Sequence, residues 1–375
     1  VPSSDVIIIG GGIIGLSLAH KLASENLCVV VLDRQQPWLE ASWAAAGMLC
    51  PGPESPDDVA LVPLAKKSLE LYPEFVSAIE EASGARANFR RDGTLELFFG
   101  ATAEAERDRT VAAHRAHDLA TQAIAANDAR AIEASLCDTA FAAAWLPHEC
   151  SVEPRALTSA VLRAAKKYGA EIRANVEVRR LLIEGSRCDG VESQSEKFTA
   201  KHVILAAGCF SSAIGSAARL APTRPVRGQM LSLRAARPIP NHVVRSHSGY
   251  VVPRGNGLLV AGSTIEHVGF EKNVTAAGIA GIFSAAIELI PELAGAAIEE
   301  TWSGLRPDTP DHLPLIGPTE IEGLWLATGH YRNGILLAPA TAQILGDWIL
   351  RGKPDFNVEA YSPHRFTSEK STAAS

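Results

Sequence analysis

"DVIIIGGGIIGLSLAHKLASENLCVVVLDR", residues 5–34, decides how the rest of the chain is read. "DVIIIG" is a short apolar, β-branched run and reads as a buried strand. "IIGLSLAHKLASEN" has helical length and ends at Asn26, and "CVVVLDR" is a second buried strand. Together they make a βαβ unit of about thirty residues. Gly10, Gly12 and Gly15 stand in GxGxxG spacing. Gly10 permits the tight turn, Gly12 lets the backbone approach a pyrophosphate on the helix N-terminus, and Gly15 lets helix and strand pack closely. Asp33 ends the second strand, where its carboxylate can accept hydrogen bonds from an adenosine ribose. With the strand, helix and acid all in place, the fingerprint predicts a dinucleotide, and by itself leaves NAD and FAD open.

Working outward, residues 57–83 read as helical, interrupted near Pro63 and Pro73, and "TLELFF" alternates as a half-buried strand. Residues 102–135 are rich in Ala, Glu and Arg and read as one or two exposed helices. Pro154 opens a helix that runs to Tyr168. "EIRANVEVRRLLIE" through "GVES" suggests a strand meander, followed by the buried strand "KHVILAAG". "RGQMLSL", "HVVRS", "GYVVPR" and "GLLVAG" look like an antiparallel sheet, to which "EETWSGLRP" could return. Residues 275–290 are helical, "GLWLATG" is a buried strand, and Asn333 and Gly334 start a final alanine-rich helix. The expected fold is therefore α/β. A discontinuous Rossmann-like domain (residues 1–85, 146–222 and 300–365) receives an inserted antiparallel-sheet α+β substrate domain (86–145 and 223–299). Residues 366–375 read as a disordered tail.

The bulk numbers exclude several classes of function. The chain has 375 residues and a net charge of −7, with no basic stripe, so nucleic acid is not an expected partner. The apolar first 23 residues hold three consecutive glycines, His20 and Lys21, which argues against a membrane span or signal peptide. Cysteines at 28, 50, 137, 150, 188 and 209 match no zinc or disulfide spacing and fit the reduced thiols of a cytoplasmic protein. His114 and His117, three apart on an expected helix, have no acid or thiolate in the motifs beside them. They read as solvated surface, and no metal is predicted.

Two further segments choose the cofactor. "VILAAGCFSS" (203–212) ends in the small residues Ala206, Ala207 and Gly208, which let a backbone approach a ligand. "GHYRNGILLAPATAQILGDWI" (329–349) sets Tyr331 and Arg332 beside the bare amides of a helix start, which attract negative charge. A long extended cofactor touches all three places. With "VIIIGGGIIGLSLAHKLA", "ASWAAAGML", "SGLRPDTPDHLPLIGP" and the 329–349 segment, roughly residues 5–352 resemble the glycine oxidase and D-amino-acid oxidase family of FAD flavoproteins. The nearest resemblance is to its glycine oxidase branch of bacterial thiamine biosynthesis.

That resemblance implies roles by position. Ile13 and Ile14, with the glycines, hold the pyrophosphate, and Asp33 and Arg34 flank the adenosine. Ser42, Ala46, Gly47 and Met48 wrap the ribityl chain and one side of the isoalloxazine, and Val176 sits near the adenine. Residues 330–336 (His330, Tyr331, Arg332, Asn333, Gly334, Ile335 and Leu336) approach the pyrimidine edge. Arg306 binds a substrate carboxylate, helped by Tyr250 and Arg332. Such family members carry a histidine two residues before the tyrosine, where this chain has Ser248 with His247 beside it. "TWSGLRPDTPDHLP" lacks the cysteine by which sarcosine oxidases tether flavin, so FAD is expected to be non-covalent.

The implied reaction is oxidative deamination of glycine or a small D-amino or N-methyl amino acid. Hydride passes to flavin N5, and imine, keto acid, ammonia and hydrogen peroxide follow, with molecular oxygen as acceptor. A dehydrogenase feeding a quinone and a non-enzymatic flavoprotein are the alternatives. Blander readings also stand at this point. Arg306 could pair with Asp308 or Asp311, Arg332 could cap a loop, and Tyr250 and Met48 could be sheet and core residues. His312 and His330 could be acid–base groups or loop histidines. Oligomeric state is left open, a homo-oligomer included.

Overall fold

The computed structural model describes residues 4–53 and 59–366. Most of the expected tail, residues 367–375, lies outside them.

The opening strand, β1 (Ser4–Ile9), is the centre of the first sheet. It is parallel to β2 (Val29–Leu32) on one side and β11 (Lys197–Leu205) on the other, with Ile8 opposite both Val31 and Ile204. β8 (Glu171–Arg173) extends the sheet beyond β2. β18 (Leu324–Thr328) and the antiparallel β17 (Leu315–Pro318) extend it beyond β11. The hairpin β9 (Val178–Glu184) and β10 (Arg187–Ser193) pairs with the start of β11. The continuous apolar runs follow from burial on both faces. Val6, Ile8, Val31 and Ile204 pack into one core with α1 (Ile13–Ser24), α3 (Val62–Ser83), α6 (Pro154–Lys167) and α8 (Gly334–Arg351). Ile7, Ile9, Val203 and Leu205 pack into another with the β9–β10 hairpin.

The second sheet has the order β16 (Ala297–Asp308), β12 (Arg224–Arg234), β15 (Leu258–Gly262), β14 (Gly249–Gly255), β13 (Val243–Ser246), β4 (Thr94–Phe98), β6 (Ala142–Leu146), β5 (Gln122–Ala125). α7 (Ala276–Leu289) covers one face. The pairing of β16 with β12 runs through to Asp308, past the expected junction at residue 300. A short ribbon of β3 (Met48–Leu49) and β7 (Cys150–Ser151) joins two chain segments beside the cavity described below.

Several local expectations are corrected. The expected antiparallel sheet also contains one parallel pair, β13 with β4, because β4 arrives from a distant part of the chain. Pro63 and Pro73 do not interrupt α3. Pro63 falls in the first turn, where its missing N–H costs nothing, and the helix continues through Pro73. Residues 102–135 form α4 (Ala103–Arg115) and α5 (Ala126–Ile132) with the edge strand β5 between them. His117 lies beyond the end of α4, and His114 is buried at 2 % exposure where solvated surface was expected. The helix face at Ala103, Val111 and His114 turns inward. Among the described residues no helix is long and apolar enough to cross a membrane, and all six cysteines are unpaired thiols.

Candidate active site

The parallel strands β1, β2, β11 and β18 end on one edge of the first sheet, so the turns after Ile9, Leu32, Leu205 and Thr328 gather there. Ligands of open α/β sheets bind at that edge. Here the turns form one wall of a cavity of about 1110 Å³, and the second sheet forms the other. All but two of the residues expected to bind cofactor or substrate line it. The exceptions are Gly15 and Leu336. A side chain at Gly15 would collide with the Gly10 carbonyl and meet Ile8, so its role is helix-to-strand packing. The Leu336 side chain is buried in the core.

The glycine turn has the form its spacing predicts. Gly10 has φ +107°, and a Cβ there would stand 2.5 Å from the Ala206 carbonyl oxygen. Asp33 accepts hydrogen bonds from the Gly11 amide at 2.7 Å and the Gln35 amide at 3.0 Å, which fix its carboxylate at the turn. Burial raises its pKa, and those two amides oppose the rise. The Ser42 hydroxyl accepts from the Ile13 amide at 2.9 Å, tying the start of α1 to the 41–48 segment. Arg34 lies 3.5 Å over the Phe210 ring and pairs with Glu40 at 2.6 Å.

At the other end of the wall, α8 starts with no side-chain cap, and a helix start leaves its first amides without partners in the helix. Tyr331, at φ +47°, stacks on His312 with centroids 5.2 Å apart. His312 is 2.6 Å from the buried Asp308 carboxylate and outside the cavity lining, so it braces this turn. His330 is buried against the Thr341 hydroxyl at 3.1 Å, and burial pulls its pKa down to about 3. It is a neutral imidazole at ordinary pH. Arg332 sits exposed at the cavity edge, 5.5 Å from the Tyr331 ring.

Arg306 projects from β16. It donates to the Thr264 carbonyl at 3.0 Å and the Ser263 hydroxyl at 2.7 Å. Asp308 is taken by Arg224 (2.8 Å) and His312, and Asp311 by Arg365 (2.7 Å). No carboxylate among the described residues pairs with Arg306. Tyr250 stands on β14, with β15 and β12 between it and β16, its hydroxyl 3.5 Å from Met230 Sδ. Burial raises the pKa of Tyr250 against the opposing charge of Arg306, so the phenol stays a donor at neutral pH. Ser248 and His247 both line the cavity.

Sequence reasoning missed Gly228, Met230, Ser263 and Thr264, which shape or support the Arg306 side of the cavity. The only local signal was the polar pair directly after β15. It also missed a charged cluster. Arg245 donates to Glu96 (2.8 Å) and Glu149 (2.8 Å), and the Cys50 thiol donates to Glu149 at 3.1 Å. Burial opposes ionisation of Glu149, yet Arg245 and the Cys50 bond hold its carboxyl below the usual range.

These residues fit a dinucleotide-sized cofactor. The glycine cradle leaves backbone exposed to a pyrophosphate, an uncapped helix start faces the opposite end, and the volume exceeds that of an ordinary small-ligand pocket. Residues 5–348 match the family described as DAO, FAD dependent oxidoreductase. The chain belongs to this family. FAD is therefore the cofactor of this oxidoreductase. The bifunctional protein ThiO/ThiG of Trichormus variabilis is 34 % identical over 376 residues and 98 % of the oxidoreductase, which spans 56 % of that relative's length. Glycine oxidase from Pseudomonas putida is 32 % identical, covering 96 % of the oxidoreductase and 98 % of that relative. The crystal structure of glycine oxidase from Geobacillus kaustophilus matches it with a TM-score of 0.93 at 29 % identity, over 97 % and 99 % of the two chains.

Proposed function

We propose that this oxidoreductase oxidises glycine or a small D-amino or N-methyl amino acid. The observation that carries the reading is Arg306, a cation on the cavity wall with no carboxylate partner among the described residues. Its guanidinium, oriented by Thr264 and Ser263, grips the substrate carboxylate, and the Tyr250 phenol adds a further donor. Charge-assisted bonds of this kind contribute about 1.5–3 kcal/mol each. Arg332 adds positive field at the edge.

Bound FAD would supply the two-electron acceptor for oxidation at the substrate α-carbon, and with water and oxygen the products would be a 2-oxo acid, ammonia or an amine, and hydrogen peroxide. The chain's part is to position the substrate and hold the field, and no side chain abstracts the Cα proton. His330, neutral and bonded to Thr341, is not placed to do so. The start of α8 favours negative charge beside it. In this reading the first sheet carries the cofactor, through the glycine turn, Asp33, Ser42, Met48, Val176 and the 330–336 turn, and the second supplies the substrate wall. The cofactor is held without a covalent bond.

The test is anaerobic reduction of the bound flavin by a panel of D-, L- and N-methyl amino acids, followed by a peroxide assay in air. Arg306→Ala is expected to raise KM for the best substrate at least about tenfold, since roughly 1.4 kcal/mol already gives that factor. Unchanged kinetics would remove Arg306 from the site. Bleaching without peroxide would make a quinone the acceptor, and no bleaching by any amino acid would end the proposal.

A further inference from the structure

Three buried polar atoms beside the cavity have no hydrogen-bond partner among the described residues: His114 Nδ1, His148 Nε2 and Glu149 Oε1. Native interiors satisfy nearly all such atoms, so three together call for an occupant. A ring nitrogen from each histidine and a Glu149 oxygen lie within 4.8 Å of one another. His114 and Glu149 are 2 % and 0 % exposed, and His148 is half-buried.

Their chemistry narrows the occupant. His148 Nδ1 lies 2.9 Å from the Ala120 carbonyl oxygen, which can only accept. The proton therefore sits on Nδ1, and the orphaned Nε2 carries the lone pair. A carbonyl bonded to the far nitrogen is the usual support of a metal-binding imidazole. Glu149 Oε2 is already engaged by Arg245 and Cys50; Oε1 has no hydrogen-bond partner among the described residues, and the Thr94 hydroxyl is the further side chain that supports the carboxylate. Among Glu96, Glu149 and Arg245 the local charge is one negative unit, suited to receiving a dication. Two imidazoles and one carboxylate suit a transition-metal ion, whereas calcium and magnesium prefer all-oxygen sets.

We propose that His114, His148 and Glu149 bind one divalent transition-metal ion of the zinc class. The ion fastens α4, which carries His114, to the turn between β6 and β7, which carries the other two. β7 pairs with β3 at Met48 and Leu49, so the fastening reaches the segment expected along the flavin. His114 and Glu149 line the cavity, so the site lies at its edge. Bonds of about 2.0–2.2 Å draw the donors closer than they stand without the ion. This departs from the reading of no metal. That reading saw two histidines on one helix, whereas the fold trades His117 for His148 and adds Glu149.

The FAD-loaded enzyme, stripped with a chelator and dialysed, is titrated calorimetrically with zinc chloride. We expect one equivalent bound per chain. His114→Ala and His148→Ala each weaken binding by about tenfold or more, while His117→Ala, outside the cluster, leaves it unchanged. Zinc-soaked crystals of the unmutated enzyme give an anomalous peak among the three side chains, an observation that stands even where a variant misfolds. A water could satisfy the same atoms. No saturable binding, equal binding in both variants, or an anomalous peak elsewhere with water in the gap would overturn the site.

Discussion

Gly228 contributes no side chain to the cavity, and that absence is what admits Arg306. A methyl group there would collide with the end of the guanidinium, in the same place that the Thr264 carbonyl and Ser263 hydroxyl hold it. The guanidinium is the far end of a flexible chain, so Gly228→Ala is expected to displace it and leave the strands paired. The expected result is a KM at least about tenfold higher, from one lost charged bond of roughly 1.5–3 kcal/mol, with a melting temperature close to the parent's. Steady-state kinetics beside thermal unfolding checks this, and an unchanged KM would break the link between Gly228 and substrate binding. The family resemblance named Arg306 as a candidate, but nothing along the chain named its support. Thr264 lies 42 residues away in the chain and becomes its partner only through the pairing of β16, β12 and β15.

α8 is an element whose start matters more than its length. Pro339 cannot donate to the Ile335 carbonyl one turn earlier. The Tyr72 hydroxyl of α3 takes that carbonyl at 2.9 Å. Ser68 inserts between the next pair, donating to Leu336 and accepting from the Ala340 amide. α3 thus repairs the first turns of the helix whose N-terminus faces the cavity. Tyr72→Phe leaves a buried carbonyl unsatisfied and is expected to cost about 1–3 kcal/mol. Chemical denaturation should show the loss, and a variant as stable as the parent would show that another donor reaches Ile335. The helix was legible from its start signal and alanine-rich run, as β1, α1 and β2 were from theirs. β5 and β6 were not, because short alanine-rich strands carry no β-branched alternation; Ala142, Ala143 and Ala144 are fully buried under close neighbours.

At the scale of the whole molecule, the cavity lies between two sheets. The two cysteines that line it, Cys50 and Cys209, do not ionise readily. Burial pushes the Cys209 thiol up to about 12 and Cys50 well above its ordinary value. A thiol held neutral is a poor nucleophile toward a flavin ring. Acid precipitation is therefore expected to release the yellow colour and leave a pale pellet. Readdition of FAD at about a hundred times its Kd should stabilise the apoprotein by about 2.7 kcal/mol, read as a rise in Tm. A yellow pellet would mean a covalent bond.

By itself the sequence determined the glycine turn, Asp33 at the end of β2, and the helix starting at Gly334, together with the family they point to. The three features are each local, a periodicity, a helix-start signal or a spacing within one segment, and the family rests on four such segments. Only the tertiary structure decided which groups stand opposite one another. It put Ser263 and Thr264 behind Arg306, Tyr72 beneath Ile335 across 263 residues of chain, and His148 and Glu149 beside His114. Those distances depend on sheet order and helix packing, which no spacing along the chain encodes.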